Sequence, residues 1–133
     1  MKVGLDTSVV LRLLVGEPAD QAERAWQAVV EVRSAGGEVF VSDLVASEAY
    51  FALHHHYAVP KGEALRQLRA LFASGELVSE GVAPEVLATP KLASAKPGFV
   101  DRMIHEGYLR SLDQTLTFER AAGKLARARV LST

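Results

Sequence analysis

The sequence predicts an α/β fold of three layers, α/β/α, around a central and mostly parallel sheet. Two observations carry that expectation. Short apolar runs closed by turn residues, at residues 2–5, 39–41 and 115–118, alternate with longer stretches of helical periodicity, and such alternation places helices over both faces of parallel strands. The chain has 133 residues, of which 49% are apolar and 23% charged. That is enough to bury a core without a staple, so residues 1–133 read as a single domain.

Each element follows from local chemistry. Lys2 to Leu5 reads as a short strand that stops at Asp6-Thr7-Ser8, whose side chains can cap the helix continued by Val9, Val10, Leu13 and Leu14. A second helix opens at Glu17-Pro18 and ends at Ala35-Gly36-Gly37, with proline at its start and glycine at its end. Val39-Phe40-Val41 is the next strand. Ser42-Asp43 caps a helix from Leu44 to about His56, with Leu44, Tyr50 and Leu53 at helical spacing. Lys61 to Ala73 forms an amphipathic helix on Leu65, Leu68, Leu71 and Phe72.

Leu77-Val78 is a weak strand candidate, and Pro84 and Pro90 bracket a short helical piece. Pro97-Gly98 opens a helix from about Phe99 to Ser111, apolar at Phe99, Met103, Ile104 and Tyr108. Thr115 to Phe118 is a strand, Glu119 to Leu125 a short helix, and Val130-Leu131 a last strand.

Composition excludes several chemistries. The chain has no cysteine, which removes disulfides, thiolate zinc sites, iron-sulfur clusters and thiol catalysis, and fits a reducing compartment. The apolar run Val9 to Val15 is short and interrupted by Arg12, so no membrane span is expected. Asp6 falls where a signal peptide would need an apolar region. A cytoplasmic location and no membrane partner are therefore expected. The net charge of -1 and pI near 6.4 give no general polyanion-binding surface, so any nucleic-acid contact must be local.

In an open α/β sheet, ligands bind beyond the carboxyl ends of the strands. Asp6 and Glu119 follow strand ends, while Glu48 and Asp101 lie on helices within apolar patterns. Converging carboxylates repel one another unless a divalent cation offsets the charge. Hard oxygen donors suit Mg²⁺ or Mn²⁺, which can activate water and stabilise charge on a phosphodiester. Thr117, Thr7 or Ser8 could hydrogen-bond a carboxylate or the attacking water. Each acid also has a plainer reading. Asp6 can be a helix cap, Asp101 and Glu119 can be first-turn acids that favour the helix dipole, and Glu48 can be a solvated surface residue.

Four blocks in one order carry a resemblance. Val3-Gly4-Leu5-Asp6-Thr7-Ser8-Val9-Val10-Leu11, Ser42-Asp43-Leu44-Val45-Ala46-Ser47-Glu48, Lys96-Pro97-Gly98-Phe99-Val100-Asp101-Arg102-Met103-Ile104 and Leu116-Thr117-Phe118-Glu119-Arg120 resemble PIN-domain ribonucleases, most closely VapC-type toxins of toxin-antitoxin pairs. The resemblance covers about residues 2–131. It implies a PIN-like α/β/α fold, an Mg²⁺- or Mn²⁺-dependent endoribonuclease acting on RNA, and inhibition by a cognate VapB-like antitoxin, with DNA met only through the antitoxin. It also suggests a homodimer. By position, Asp6, Glu48 and Asp101 match the first three metal-binding acids. Glu119 stands where the family usually has aspartate in a Thr-Phe-Asp motif, and Thr117 matches the threonine beside that acid. The catalytic set is then Asp6, Glu48, Asp101, Glu119 and Thr117, with the four acids as metal ligands.

Ten arginines outnumber five lysines, and Arg102, Arg110, Arg120, Arg127 and Arg129 fall in the last third. They could form a phosphate-binding rim or be solvated ion-pairing residues. His54-His55-His56 point about 100° apart on a helix and read as a helix end rather than a metal site. Trp26, Phe51, Tyr57 and Phe72 read as core or as an apolar groove for an antitoxin segment or a second subunit. Two alternatives stand beside the nuclease. One is a PIN-like domain that binds RNA or protein without cutting. The other is a phosphoacceptor receiver domain, which would want paired acids after the first strand, whereas Asp6 precedes Thr7.

Overall fold

The computed structural model describes residues 1–132. Its strands are β1 (Lys2–Gly4), β2 (Glu38–Val41), β3 (Val78–Ser79), β4 (Thr115–Thr117) and β5 (Ala128–Val130). Its helices are α1 (Thr7–Val15), α2 (Ala19–Ser34), α3 (Asp43–His55), α4 (Lys61–Ala73), α5 (Ala83–Leu87) and α6 (Phe99–Leu109), with 3₁₀ turns at Leu92–Ser94 and Arg120–Lys124. The expected α/β class and parallel strands are both present. The strands form two separate parallel pieces, one in the order β1-β2-β3 and one of β4 beside β5. The segment read as a helix from Glu119 forms the second 3₁₀ turn. No helix among the described residues is long and apolar enough to cross a membrane.

Caps set the helix boundaries. α1 ends at Gly16, whose φ of 78° places it in the left-handed region, where a side chain would be strained. Ser42 Oγ accepts the Val45 N–H at 3.2 Å and starts α3. Asp43 does something the sequence did not indicate. Its two carboxylate oxygens accept the N–H groups of Val82 (2.9 Å) and Ala83 (3.0 Å), so α3 caps α5 from a distance in sequence. Gly81 must be glycine for this contact, because a Cβ there would overlap the Asp43 carboxyl group.

The core lies among the helices and one face of the first sheet. Leu53, Leu65, Leu68, Leu87, Val10, Val29, Val39 and Val41 are its largest fully buried side chains. Alternation sends Val39 and Val41 inward and Phe40 to the other face, where the register sets it beside Gly4 and Val78. That second face is only partly covered. Val78 is exposed, Phe40 is half-buried, and the Lys2 ammonium lies 5.8 Å from the Phe40 ring centre.

Several apolar residues depart from the expected burial. Leu44, Ile104 and Tyr108 belong to helical stripes but are exposed, as are Trp26, Phe51 and Tyr57. Phe72 is half-buried and packs on the core.

Leu53 has no exposure and Leu44 is 71% exposed, so the two leucines of α3 should respond differently to truncation. Leu53→Ala is expected to cost about 2–5 kcal/mol and Leu44→Ala to stay within about 0.5 kcal/mol of the parent, as read by urea denaturation. Asp43→Ala should cost about 1–3 kcal/mol by stranding two N–H groups of the α5 cap.

Candidate active site

Asp6 stands just beyond the carboxyl end of β1 and is the N-cap of α1. Its Oδ1 accepts the Ser8 N–H at 3.0 Å, the Ser8 hydroxyl at 2.6 Å and the Val9 N–H at 3.4 Å. One oxygen thus carries the whole cap. Oδ2 has no hydrogen-bond partner among the described residues, which leaves it free to meet a ligand. The Ser8 hydroxyl bond, with the Val9 and Ser8 backbone bonds, holds the Asp6 carboxyl below its ordinary value of 3.8 against a small opposing effect of burial. The cap and the free anion are compatible roles for one side chain.

The other candidates are carried by other elements. Glu48 is on α3 between the buried Ala46 and Ala49, yet its own side chain is exposed. Asp101 occupies the first turn of α6 and is exposed. It borders a groove of about 310 Å³ with Tyr50, Phe51, His54, Lys61 and Phe99. Glu119 follows β4 and is exposed. Thr117 Oγ1 accepts the Glu119 N–H at 2.9 Å, so its hydroxyl shapes the turn that presents Glu119 and binds no carboxylate.

No three of the described His, Asp or Glu side chains come close enough to hold one metal ion. The donor chemistry of Asp6, Glu48, Asp101 and Glu119, all exposed carboxylates, suits a hard divalent cation, which would supply an activated water and charge stabilisation at a phosphodiester.

Cationic residues line two grooves, one of which holds Asp101. A groove of about 370 Å³ beside Ser8 is lined by Arg12, Gln21 and Arg24, with Arg12 Nε donating to Gln21 Oε1 at 2.6 Å. Lys61 and the α3 histidines flank Asp101. Sequence reasoning had looked instead to the arginines of the last third, and three of those have structural partners. Arg102 Nε donates to the Pro97 carbonyl at 2.7 Å. Arg110 donates to the Gly81 carbonyl at 2.9 Å and lies 3.6 Å from Glu85. Arg127 reaches the Leu109 and Leu112 carbonyls at 3.4 and 3.5 Å. Lys61 carries no local signal in the sequence, because its place depends on how α4 starts against α3. His54 Nδ1 lies 2.9 Å from the Val59 carbonyl oxygen and closes the end of α3.

The chain belongs to the PIN domain family. The family match runs over residues 3–128, nearly the whole chain, and PIN domains are in general nuclease domains that use divalent metal ions. No curated protein and no solved structure matches the chain at comparable stringency. Family membership sets aside the phosphoacceptor alternative.

Removing the Ser8 hydroxyl removes the largest cause of the lowered Asp6 pKa. Ser8→Ala is expected to raise the Asp6 midpoint toward 3.8 in a carboxyl NMR titration. The sign for stability follows from linkage: a depressed folded-state pKa stabilises above the unfolded value and loses that contribution as pH falls through the folded one. Ser8→Ala should therefore show a smaller loss of stability between neutral pH and the Asp6 midpoint than the parent.

Proposed function

We propose that this PIN domain is an Mg²⁺- or Mn²⁺-dependent endoribonuclease of the cytoplasm, the toxin of a VapBC-like pair restrained by a cognate VapB-like antitoxin. DNA is met only through that antitoxin. The observation that carries the reading is Asp6: a carboxylate kept ionised by its cap, with one oxygen free, beyond the carboxyl end of β1. Hydrolysis of a phosphodiester needs anionic oxygen donors for a hard cation and cationic groups for the flanking phosphates. Asp6, Glu48, Asp101 and Glu119 supply the first. Arg12, Arg24 and Lys61 supply the second from the grooves beside Ser8 and Asp101.

The residues have separable tasks in this reading. Asp6 both starts α1 and serves as an oxygen donor. Thr117 sets the turn that presents Glu119. Phe51 and His55, stacked with ring centres 6.0 Å apart and a 22° interplanar angle, offer a flat face beside Asp101 on which a base can rest.

A PIN-like scaffold that binds RNA or protein without cutting is the second reading. What favours it is that no three His, Asp or Glu side chains among the described residues group to hold a metal ion.

Cleavage of single-stranded RNA is expected with Mg²⁺ or Mn²⁺ and not with EDTA. Asp6→Asn and Asp101→Asn should each lower it by about 100-fold or more, the upper end of what even an outer partner of a metal ligand costs. Asparagine keeps the α1 cap, so the melting temperature of Asp6→Asn should stay near the parent's while that of Asp6→Ala falls. Undiminished cleavage by both asparagine variants would overturn the nuclease assignment, and absence of any ion-dependent cleavage in the parent would favour the scaffold.

A further inference from the structure

In the groove that holds Asp101, aromatic, cationic and imidazole groups meet. Its volume of about 310 Å³ lies at the small end of the roughly 300–1,000 Å³ found for sites of single small molecules. Its wall is tied to the core. The Phe99 ring, 2% exposed, meets the Tyr50 ring edge-on at 5.3 Å, Tyr50 meets Phe51 at 5.6 Å, and Phe51 lies nearly parallel to His55. Phe51 is 45% exposed and His55 is exposed, so the inner end of this chain of rings is fixed while its outer end presents flat surface to solvent.

His54 supplies what the rings do not. Its Nδ1 lies 2.9 Å from the Val59 carbonyl oxygen. A carbonyl only accepts, so Nδ1 carries the hydrogen and the neutral ring holds its lone pair on Nε2. His54 lines the groove and Val59 does not, which puts the ring edge opposite Nδ1 on the groove side. Nε2 has no hydrogen-bond partner among the described residues. The backbone thus fixes one tautomer, and the groove gains one acceptor of set position.

The groups around that acceptor fit a nucleotide better than an apolar segment. Lys61 also lines the groove, and its ammonium suits a phosphate as a mobile point charge. Flat rings suit any base. An acceptor at the base edge is more selective. It suits cytosine, adenine or guanine, whose edges carry an amino group, and opposes uracil, which carries a carbonyl oxygen where cytosine has its amino group. Two acceptors then face each other with no hydrogen between them, and a polar site left unpaired in this way rejects a near-isostere.

We propose that this groove is a base-reading subsite for RNA. One base lies on the Phe51 and His55 rings, His54 Nε2 accepts a hydrogen bond from its amino group, and Lys61 meets its phosphate. That RNA is the ligand rests on the nuclease reading; the preference for an amino-bearing base comes from His54 itself. The place of the groove at Asp101 sets the base that is read close to the bond to be cut, so the same groups give cleavage a sequence preference. His54 sets specificity here and touches no reacting atom.

Cytidine and uridine 5′-monophosphates are alike in size and have no internucleotide bond to cleave, so they test this with Mg²⁺ present. Titrations are followed by the ring-proton NMR signals of Phe51 and the histidines at about pH 8, where an ordinary imidazole is neutral. Cytidine monophosphate is expected to shift the Phe51 and His55 signals and to bind about 3-fold or more tightly than uridine monophosphate, the effect of one net hydrogen bond. His54→Asn keeps a side-chain N–H where Nδ1 stands and removes Nε2, so it should retain the parent's melting temperature and bind both nucleotides alike. Phe51→Leu, at an exposed position, should weaken both by about 5-fold or more and leave the preference in place. Equal binding of the two by the parent, binding of neither, unweakened binding by Phe51→Leu, or a preference that survives His54→Asn would overturn the proposal. RNA cleavage with equal nucleotide binding leaves the nuclease and removes the subsite, whereas the cytidine preference without RNA cleavage leaves the subsite and removes the nuclease.

Discussion

The junction at which β1 ends and α1 begins is the constraint on which the rest of the site depends. Gly4 closes the strand, Asp6 caps the helix, and the Leu5 N–H between them donates to the Phe40 carbonyl at 2.9 Å, so the register of β1 on β2 sets where the Asp6 carboxylate stands. In an open α/β sheet ligands meet the carboxyl ends of the strands, and Asp6 is held there by bonds to its own carboxylate.

Asp6 links helix formation to chemistry through a division of labour between its two oxygens. Oδ1 takes the three bonds of the cap, and those bonds favour the charged form. A carboxylate held this way keeps its position at no further entropic cost when a ligand arrives. Glu48, Asp101 and Glu119 are exposed and make no comparable bonds among the described residues, so their places follow from the elements that carry them. Arg12 and Arg24 add positive charge to the groove beside Ser8, and Lys61 to the groove that holds Asp101, which reconciles local contact with phosphate and a chain of net charge -1.

Local chemistry made most of the fold legible in the sequence. The caps at Asp6 and Ser42, the stripe of Leu65, Leu68 and Leu71, and the strand at Val39 to Val41 depend on near neighbours, and each lies where expected. Asp43 was read only as part of a cap, because its partners Val82 and Ala83 lie far along the chain. The helical stripe at Ile104 and Tyr108 was recognised as apolar, but periodicity does not say whether an apolar face meets its own core or another surface. The order of the acids was visible in the sequence. What it did not show is how the side chains stand: no three His, Asp or Glu side chains among the described residues group to hold a metal ion.

Mn²⁺ titrations read by electron paramagnetic resonance, on the parent and on Asp6→Asn, test most directly whether Asp6 is an oxygen donor to a divalent ion. The account predicts binding by the parent that weakens by about tenfold or more in Asp6→Asn. Mn²⁺ held as tightly by Asp6→Asn as by the parent would contradict it.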